Sequence, residues 1–485
     1  LSQLHALGYR PAASRDAADV LLYNTCSVRQ SAEDKAYARI GDAKVIKKQN
    51  PDLILGVIGC MAERDGADLV GRFPQIDLMC GPSELDKMPL LIDNAIKTRA
   101  PQTALAGHAS RRSGTLEAAS DNLESLDLSR SMSAAPGASA YVRITRGCNK
   151  FCTYCVVPFT RGAEVHRPPD HIVDECRQLA DAGVVEITLL GQTVNHYRYD
   201  HGAASGPDAS APQIGPGREA FTNQRSRFNV GRRLTRFSDL LKRIHDQVPA
   251  IRRLRFVTSF PLDFGEDVMQ VMAESPRICN YLHVPAQSGS DRILKKMNRG
   301  YTASQYIEFV DRARQIMDDV QIASDFIVGF PTETDADFES TVRLVRRCGF
   351  KNSFIFKYSP RPGTVAIDRF VDDVPEEVKR DRNRRLLAVQ AEVSAQVHQK
   401  QVGRTVEVLV EGVSRKAQKA ASSGNVELGW EKPQTVTQLS GRTAGDLIVM
   451  FDGTEHQVGK IVPIRIDSAR PLALFGSLIE APAAS

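Results

Sequence analysis

Three cysteines lie close together in one short segment of the chain. Cys148, Cys152 and Cys155 form a C-x3-C-x2-C pattern directly after a strand-like run of residues. Three thiolates in one loop can bind three irons of a 4Fe–4S cluster and leave the fourth iron without a protein ligand. The alternative is a structural zinc site, which takes four ligands and commonly uses C-x2-C pairs. Because no other Cys or His lies within ten residues of the segment, the spacing favours the iron–sulfur cluster.

Two further cysteines each follow a strand-like run near the start of the chain. Cys26 follows the run 19–25, and Cys60 follows the run 53–59. Ligand sites in parallel sheets gather at the carboxyl ends of the strands, where neighbouring strands meet at one edge. The two thiols are therefore a plausible half of a second metal site, and two unrelated buried cysteines are the alternative.

The elements that would position these cysteines divide the chain into three segments. Residues 1–100 alternate helical patterns with three strand-like runs, which predicts a parallel α/β domain. Residues 140–372 contain six strand-like runs with amphipathic stretches between most of them, which fits an incomplete (βα)6 barrel, open on one side. Residues 401–481 contain short alternating runs with Gly-bearing turns, which predicts a small all-β barrel.

Three further segments complete this organisation. Residues 101–139 are rich in Ala, Ser and Gly and are expected to be a flexible linker. Residues 200–233, rich in Gly, Pro and Arg, follow the second barrel strand and are expected to form a mobile surface loop. Residues 373–400 contain a charged pattern that predicts a connecting helix.

The segment around the three cysteines resembles the radical S-adenosylmethionine enzymes, and among them the methylthiotransferases. In this superfamily the C-x3-C-x2-C motif carries an aromatic residue before its last cysteine, here Tyr154, and opens a βα barrel. The longer match, RGCNKFCTYCVVPFTRG over 146–162, is most similar to the methylthiotransferases that act on isopentenyladenosine in tRNA. The C-terminal segment resembles the RNA-binding TRAM module of this family. Further matching segments lie at 24–29, 59–62, 189–195, 285–290, 325–333, 357–364, 441–443 and 451–453.

The resemblance implies two chemistries in one enzyme. Cys148, Cys152 and Cys155 would bind a 4Fe–4S cluster that coordinates S-adenosylmethionine, and reductive cleavage would give a 5′-deoxyadenosyl radical that activates the adenine C2–H. Cys26 and Cys60 would bind an auxiliary 4Fe–4S cluster that carries the sulfur. A further S-adenosylmethionine would methylate that sulfur before its insertion. The product would be 2-methylthio-N6-isopentenyladenosine at tRNA position 37.

The resemblance also implies contacts to the cofactor and partners. Tyr154 would pack near the adenine of S-adenosylmethionine. Gln192, Asn195 and Gln287 follow barrel strands, at the end where such folds place their sites, and for these a cofactor contact and a loop-capping role both remain open. The expected partners are the anticodon arm of tRNA and a low-potential electron donor such as flavodoxin or ferredoxin. The chain is expected to be a monomer.

The auxiliary site departs from the family pattern, which needs a third cysteine before Cys26. None precedes it, and the chain opens with Leu1 rather than Met, so we expect a missing N-terminal piece to hold that ligand. Cys80 ends another strand-like run, 75–79, and is the alternative third ligand, although a buried free cysteine is the commoner case. The remaining cysteines and two histidines without a ligand pattern are expected to be structural: Cys176, Cys279, Cys348, His166 and His283.

Composition excludes membrane, collagen-like and wholly disordered proteins. The longest apolar run, 53–62, is far shorter than the about 18 residues of a membrane span. Nine cysteines without a secretion-signal pattern fit a reducing cytoplasm, so we expect a cytoplasmic protein with no membrane partner. The net charge of +5 is compatible with a polyanionic partner. Residues 218–255 carry eleven basic and three acidic residues with interleaved phenylalanines, and both RNA contact and a solvated loop remain open.

Three alternative functions remain. The first is a sister methylthiotransferase that acts on threonylcarbamoyl-adenosine in tRNA or on a ribosomal protein. The second is a non-catalytic iron–sulfur electron carrier, which formation of 5′-deoxyadenosine would eliminate. The third is an RNA-binding module that uses its metal only structurally. That module is eliminated if Cys152→Ala abolishes turnover while RNA affinity persists.

Overall fold

The computed structural model describes residues 4–5, 7–27, 30–106, 137–201, 213–214, 234–422 and 436–479. Most of the predicted linker and most of the predicted 200–233 loop lie outside the described residues. Among the helices of the described part, none combines the length and the apolar character that crossing a membrane would need.

The first domain is a four-stranded parallel sheet with helices on both faces. Its strands follow the order β1-β2-β3-β4. They are β1 (Val20–Thr25), β2 (Ile54–Gly59), β3 (Leu78–Cys80) and β4 (Gln102–Ala104). The helices are α1 (Gln30–Gln49), α2 (Cys60–Arg72) and α3 (Met88–Thr98). Strand β4 pairs with β3, so the sheet extends into the first residues of the predicted linker.

Strand β2 lies inside this sheet and is buried on both sides, as its continuous apolar run predicts. Leu55 and Val57 pack with α1 and α2 on one face. Ile54 packs with α3 on the other face. Because both faces are covered, the open edge at the carboxyl ends of the strands is the place left for a site.

The second domain is the predicted incomplete barrel. Six parallel strands form two three-stranded sheets, joined by a bridge between Leu254 and Ile278. The strands of this domain, with five short accessory ones, are β5 (Ser139–Arg143), β6 (Thr145–Arg146), β7 (Val165–His166), β8 (Glu186–Leu190), β9 (Arg198–Asp200), β10 (Gln213–Ile214), β11 (Leu234–Arg236), β12 (Arg253–Phe256), β13 (Tyr281–His283), β14 (Gln321–Val328) and β15 (Asn352–Lys357). The helices, including the connecting helix α12, are α4 (Val157–Arg161), α5 (Pro169–Asp181), α6 (Phe237–Gln247), α7 (Glu266–Glu274), α8 (Asp291–Lys296), α9 (Ala303–Ile316), α10 (Asp335–Cys348), α11 (Val365–Arg369) and α12 (Glu376–Gln399).

Alternation along β14 separates the two faces of the barrel wall. Ile322, Phe326 and Val328 are buried in the main hydrophobic core, which the surrounding helices complete. Asp325 and Ile327 are only partly buried and lie on the other, interior face. The strands therefore have an apolar outer surface under the helices and a more polar inner surface.

The third domain is a closed five-stranded barrel. Its strands, in the spatial order β16-β17-β18-β20-β19, are β16 (Thr405–Val413), β17 (Thr437–Arg442), β18 (Ile448–Gly453), β19 (Ile461–Ala469) and β20 (Leu474–Leu478), with a helix α13 (Arg415–Ser422). Arg253, at the first residue of β12, donates to the carbonyl oxygens of Arg442 (2.7 Å) and Glu407 (2.8 Å). Lys351 precedes β15 and pairs with Asp446 at 2.6 Å. The small barrel thus caps the amino ends of the central strands, opposite the cysteine loop.

The fold class predicted from the sequence is confirmed: a parallel α/β domain, an incomplete (βα)6 barrel and a small all-β barrel follow one another along the chain.

Candidate active site

The C-x3-C-x2-C loop begins directly after β6, at the carboxyl end of the central barrel. Gly147 has φ +71°, and a Cβ there would lie 1.9 Å from the carbonyl oxygen of Ala163. Only glycine fits this turn, because other residues would combine a strained φ with a backbone clash. The turn directs Cys148 inward, and its N–H donates to the carbonyl oxygen of Gly162 at 3.3 Å.

The other half of the loop is held by the segment that ends α8. Thr153 donates from its N–H to the carbonyl oxygen of Met297 (3.1 Å) and from its hydroxyl to that of Lys296 (2.9 Å). The side-chain amide of Asn298 donates to the carbonyl oxygen of Phe151 at 2.8 Å. These contacts fix the loop from a segment more than a hundred residues away.

The three thiols suit a cluster better than a single zinc ion. Among the described residues, the sulfur atoms of Cys148, Cys152 and Cys155 do not form a set that lies within 4.8 Å of one another. Tetrahedral zinc thiolates at about 2.3 Å from the metal need sulfur atoms about 3.8 Å apart. Burial, with Glu164 and Cys152 nearby, raises the pKa of Cys148 to about 11, and burial also raises the pKa of Cys155. A cationic cluster core would stabilise the thiolates that burial disfavours.

Arg299 contacts the cysteine loop at Cys152. Its Nη1 donates to the Sγ of Cys152 at 3.3 Å, and its Nη2 donates to the carbonyl oxygen of Pro285 at 2.9 Å. The guanidinium lies 4.6 Å from the ring centroid of Phe260. A buried cation that donates to a ligand sulfur favours the thiolate and the more reduced cluster. No local sequence pattern marks this residue as part of the site, because it lies 147 positions from Cys152.

Cys26 and Cys60 lie at the carboxyl edge of the first sheet, as predicted. Thr25 and Gly59 are register partners on β1 and β2, and each cysteine is the next residue. Gly59 has φ +97°, and a Cβ there would lie 2.4 Å from the carbonyl oxygen of Thr25. Cys60 is the first residue of α2 and so lies at the positive end of that helix.

One arginine joins the two cysteine sites. Arg161 ends α4, the helix that follows Cys155, and its Nε donates to the Sγ of Cys60 at 3.5 Å. A buried ion cluster nearby holds the domains together, since Glu33 pairs with both Arg361 (2.6 Å) and Arg64 (2.7 Å). The first domain therefore contacts the carboxyl end of the barrel, and Cys60 lies against the helix that follows the cysteine loop.

Cys80 ends its strand near this edge, but its thiol packs in the core rather than toward the other two cysteines. It belongs to β3 itself, because the strand spans Leu78–Cys80 rather than the predicted 75–79, and it packs in the core beneath α3. Its thiol donates to the carbonyl oxygen of Glu84 at 3.1 Å, and burial with Glu84 nearby raises its pKa to about 12. A protonated thiol with a backbone partner is a structural thiol. Burial likewise raises the pKa of Cys176, Cys279 and Cys348.

The four residues predicted to contact the cofactor lie around the barrel mouth in different roles. Asn195 is 6 % exposed and exchanges two hydrogen bonds with the backbone of Phe260, at 2.8 and 2.9 Å, which favours the loop-capping alternative. Gln287 has φ +72°, which is strained for a residue with a side chain and is typical of functional sites. Tyr154 packs with the cluster of Met297 and Phe330. Gln192 is partly buried after β8.

A second group of titratable side chains lies behind the loop. Glu164, His166 and His196 are buried and have ligand atoms within 4.8 Å of one another. Burial raises the pKa of Glu164, but hydrogen bonds from the two histidines outweigh it and lower the pKa to about 2. The Nδ1 of His166 accepts the N–H of Arg198 at 2.7 Å, so in the neutral ring its Nε2 carries the proton that faces Glu164. This tautomer offers no lone pair to a metal, which supports the structural role predicted for His166.

The comparisons with known proteins agree with this geometry. Residues 142–345 match the model of the Radical SAM superfamily, and residues 1–81 match that of the Uncharacterized protein family UPF0004. The chain is 41 % identical over 477 residues to a tRNA-2-methylthio-N(6)-dimethylallyladenosine synthase of Rhodopirellula baltica, covering 98 % of this chain and 91 % of the relative. It is 38 % identical over 475 residues to the synthase of that name from Escherichia coli, covering 97 % and 86 %.

A solved structure shows a more distant likeness. The radical S-adenosylmethionine methyltransferase TsrM of Kitasatospora setae has a TM-score of 0.46 and 15 % identity, covering 72 % of this chain and 65 % of that chain. The two close relatives, by contrast, match along almost their whole length. The chain therefore belongs to the tRNA-2-methylthio-N(6)-dimethylallyladenosine synthase family, whose barrel is of the radical S-adenosylmethionine type.

Proposed function

We propose that this enzyme converts N6-isopentenyladenosine in tRNA to its 2-methylthio derivative. The observation that carries the proposal is the juxtaposition of the two cysteine sites, because the Arg161–Cys60 contact places the first domain's thiols beside the barrel loop. A reaction that both activates an adenine carbon and delivers sulfur to it needs two such centres within reach of one base. The relatives' name specifies the same product.

The chain's own residues hold the parts in place. Cys148, Cys152 and Cys155 would bind one 4Fe–4S cluster, and Cys26 with Cys60 would supply two of the three ligands of the auxiliary one. When bound, the clusters and S-adenosylmethionine supply the 5′-deoxyadenosyl radical, the sulfur and the methyl group.

Four residues of the barrel mouth shape the cofactor site. Tyr154 provides an apolar wall beside the loop, and Gln192 and Gln287 provide polar contacts for S-adenosylmethionine. Asn195 contributes indirectly, because it holds the backbone at Phe260, whose ring packs against Arg299.

The proposal extends to partners and location. The anticodon arm is the part of tRNA that presents the target base, and the C-terminal barrel would bind the RNA. A low-potential protein such as flavodoxin or ferredoxin would supply electrons. We propose that the enzyme acts as a monomer in the cytoplasm, in keeping with nine cysteines that form no disulfide among the described residues.

The test is anaerobic reconstitution with iron and sulfide, followed by incubation with S-adenosylmethionine, dithionite and isopentenylated tRNA. Mass spectrometry of the digested nucleosides should show the 2-methylthio product, and chromatography should show 5′-deoxyadenosine. Cys152→Ala should abolish both products and retain RNA binding. Cys176→Ala, which changes a buried cysteine far from both sites, is the matched control.

Two results would contradict the proposal. Modification of threonylcarbamoyl-adenosine tRNA or of a ribosomal protein, with isopentenylated tRNA unchanged, would assign the chain to a sister activity. Absence of 5′-deoxyadenosine from fully reconstituted protein would remove the radical mechanism itself.

A further inference from the structure

Three side chains lie together on the interior face of the central barrel, outside the cysteine loop. The Nε2 of His283, at the end of β13, lies 2.9 Å from the Oδ1 of Asp325 on β14. The ring of Phe354 on β15 meets the imidazole edge to face at a centroid distance of 6.3 Å. Asp325 and Phe354 are register partners of parallel strands, so their side chains share one face.

Two aromatic side chains on the interior face of the barrel are partly exposed. Phe354 is 44 % exposed, and Tyr141 on the opposite wall is 59 % exposed. Ala140 and Val142 flank Tyr141 and are buried in the core under the helices, so Tyr141 lies on the interior face, whereas Phe354 shares that face with its register partner Asp325. An exposed aromatic ring inside a barrel is a surface for another ring, since a purine stacks readily on a phenylalanine.

The pair of His283 and Asp325 leaves the Nδ1 atom of His283 as a hydrogen-bond acceptor. The carboxylate of Asp325 accepts the Nε2–H of His283, so in the neutral ring Nδ1 carries a lone pair. Within the described residues, no hydrogen bond to that Nδ1 is formed. A base that stacks on Phe354 would find there an acceptor for an exocyclic N–H.

This group lies next to the cofactor loop. Ile327 is two residues beyond Asp325 on the same face, a distance of about 7 Å along the strand. Ile327 packs in the cluster that includes Tyr154 of the cysteine loop. A base held at His283 and Phe354 would therefore lie one strand repeat from the place where the radical forms.

We propose that Phe354 and His283 form the binding subsite for the target purine, an N6-alkylated adenine. Phe354 stacks on the base, the Nδ1 of His283 accepts the single N6–H, and Asp325 fixes the ring orientation. The inference rests on the proposed function and assigns His283 a role in binding rather than the purely structural one predicted from the sequence.

The test measures binding of anticodon stem–loop RNA to the reconstituted protein without S-adenosylmethionine. Three loops carry N6-isopentenyladenosine, adenosine or purine riboside at the target position, and purine riboside lacks the exocyclic N–H. His283→Leu should weaken binding of the first two loops about fivefold and leave purine riboside unchanged. Phe354→Leu should weaken all three about tenfold. His245→Leu is the matched control, because His245 contacts Asp246 at 3.0 Å on the helix α6, away from the interior.

Each outcome decides the inference. Equal losses on all three loops for His283→Leu, or affinities equal to those of the control for both variants, would overturn it. Iron content and absorption spectra identify any variant that has lost its cluster, and Phe354→Leu keeps the test valid if His283→Leu unfolds. Failure of the proposed function is separate: it would appear as the absence of a methylthio product from the wild-type protein, whatever the binding data show.

Discussion

Replacing Asp446 by asparagine should destabilise the contact between the C-terminal barrel and the central barrel. Asp446 lies among three cations: it pairs with Lys351 at 2.6 Å, with Arg442 at 2.9 Å and with Arg255 at 3.8 Å. The side chains of Lys351 and Arg255 are each only 5 % exposed. The substitution keeps the shape of the side chain and removes the carboxylate that pairs with Lys351, whereas Arg255 keeps Glu186 and Arg442 keeps Glu411 as partners.

The size of the effect follows from this burial. Breaking a buried ion pair by removing one partner costs about 3–5 kcal/mol, because the remaining charge stays desolvated. The loss is reduced because Asp446 is 17 % exposed and because asparagine can still accept a hydrogen bond. We therefore expect the free energy of unfolding to fall by about 2–4 kcal/mol at pH 7. Urea unfolding followed by far-UV circular dichroism would measure the loss of stability. The matched control is Glu411→Gln, which removes the charge of an exposed partner of Arg442.

The loss should depend on pH in one direction. Burial lowers the pKa of Lys351 from 10.5 to about 8, although Asp446 opposes that shift. A depressed lysine pKa means that the unfolded chain holds the proton over a window where the folded protein has released it, so this group makes stability rise with pH above 8. Without the Asp446 carboxylate, the pKa of Lys351 in the folded protein falls further, so the rise of stability with pH begins at a lower pH. The difference between wild type and variant should therefore shrink between pH 7 and 9. A difference that grows with pH, or a loss below 1 kcal/mol at pH 7, would refute this reasoning.

Three further predictions concern the cysteine sites. Gly147→Ala should abolish iron incorporation at the barrel loop. Gly162→Ala should retain it, because Gly162 has a similar φ but no atom within 4 Å of the added Cβ. Iron analysis and absorption spectra compare the two variants. Cys80→Ala should leave the iron content unchanged while Cys60→Ala lowers it by up to one cluster, and the reverse result would make Cys80 a ligand. Arg299→Lys should shift the midpoint potential of the barrel cluster to a more negative value in an EPR-monitored titration, because the hydrogen bond to the thiolate is weakened; an unchanged potential would contradict that role.

Short-range features of the site could be predicted from the sequence. The spacing of Cys148, Cys152 and Cys155 is local, and a loop of eight residues brings them together in any fold that accommodates it. The placement of Cys26 and Cys60 depended only on the parallel sheet, since the carboxyl ends of adjacent strands share an edge. Errors in the strand boundaries were small, yet one of them mattered: Cys80 is the last residue of β3 rather than the residue after it, and its side chain packs in the core.

Contacts between distant segments could not be predicted in this way. The sequence carries no signal that Arg299 reaches Cys152, because the contact depends on how α8 lies against the loop. His283 had no ligand pattern beside it and was assigned a structural role, although a carboxylate such as Asp325 inside a largely buried strand is a sign of a polar interior. The alternation of apolar and polar residues predicts which face of a strand is buried. It does not predict which side chains of distant strands lie opposite one another inside an open barrel.

The position of the C-terminal barrel constrains how the substrate can approach. This domain is fixed to the amino ends of the central strands by buried arginine and lysine contacts, whereas both cysteine sites lie at the carboxyl ends. The first domain contacts that end of the barrel through the Glu33 ion cluster. On the proposed function, a target base would therefore leave the RNA stack and enter from the open side of the barrel, while the small barrel would bind RNA at a distance from the chemistry. Under that proposal, affinity and base selection would be carried by opposite ends of the molecule, because the small barrel and the two cysteine sites lie at opposite ends of the central strands.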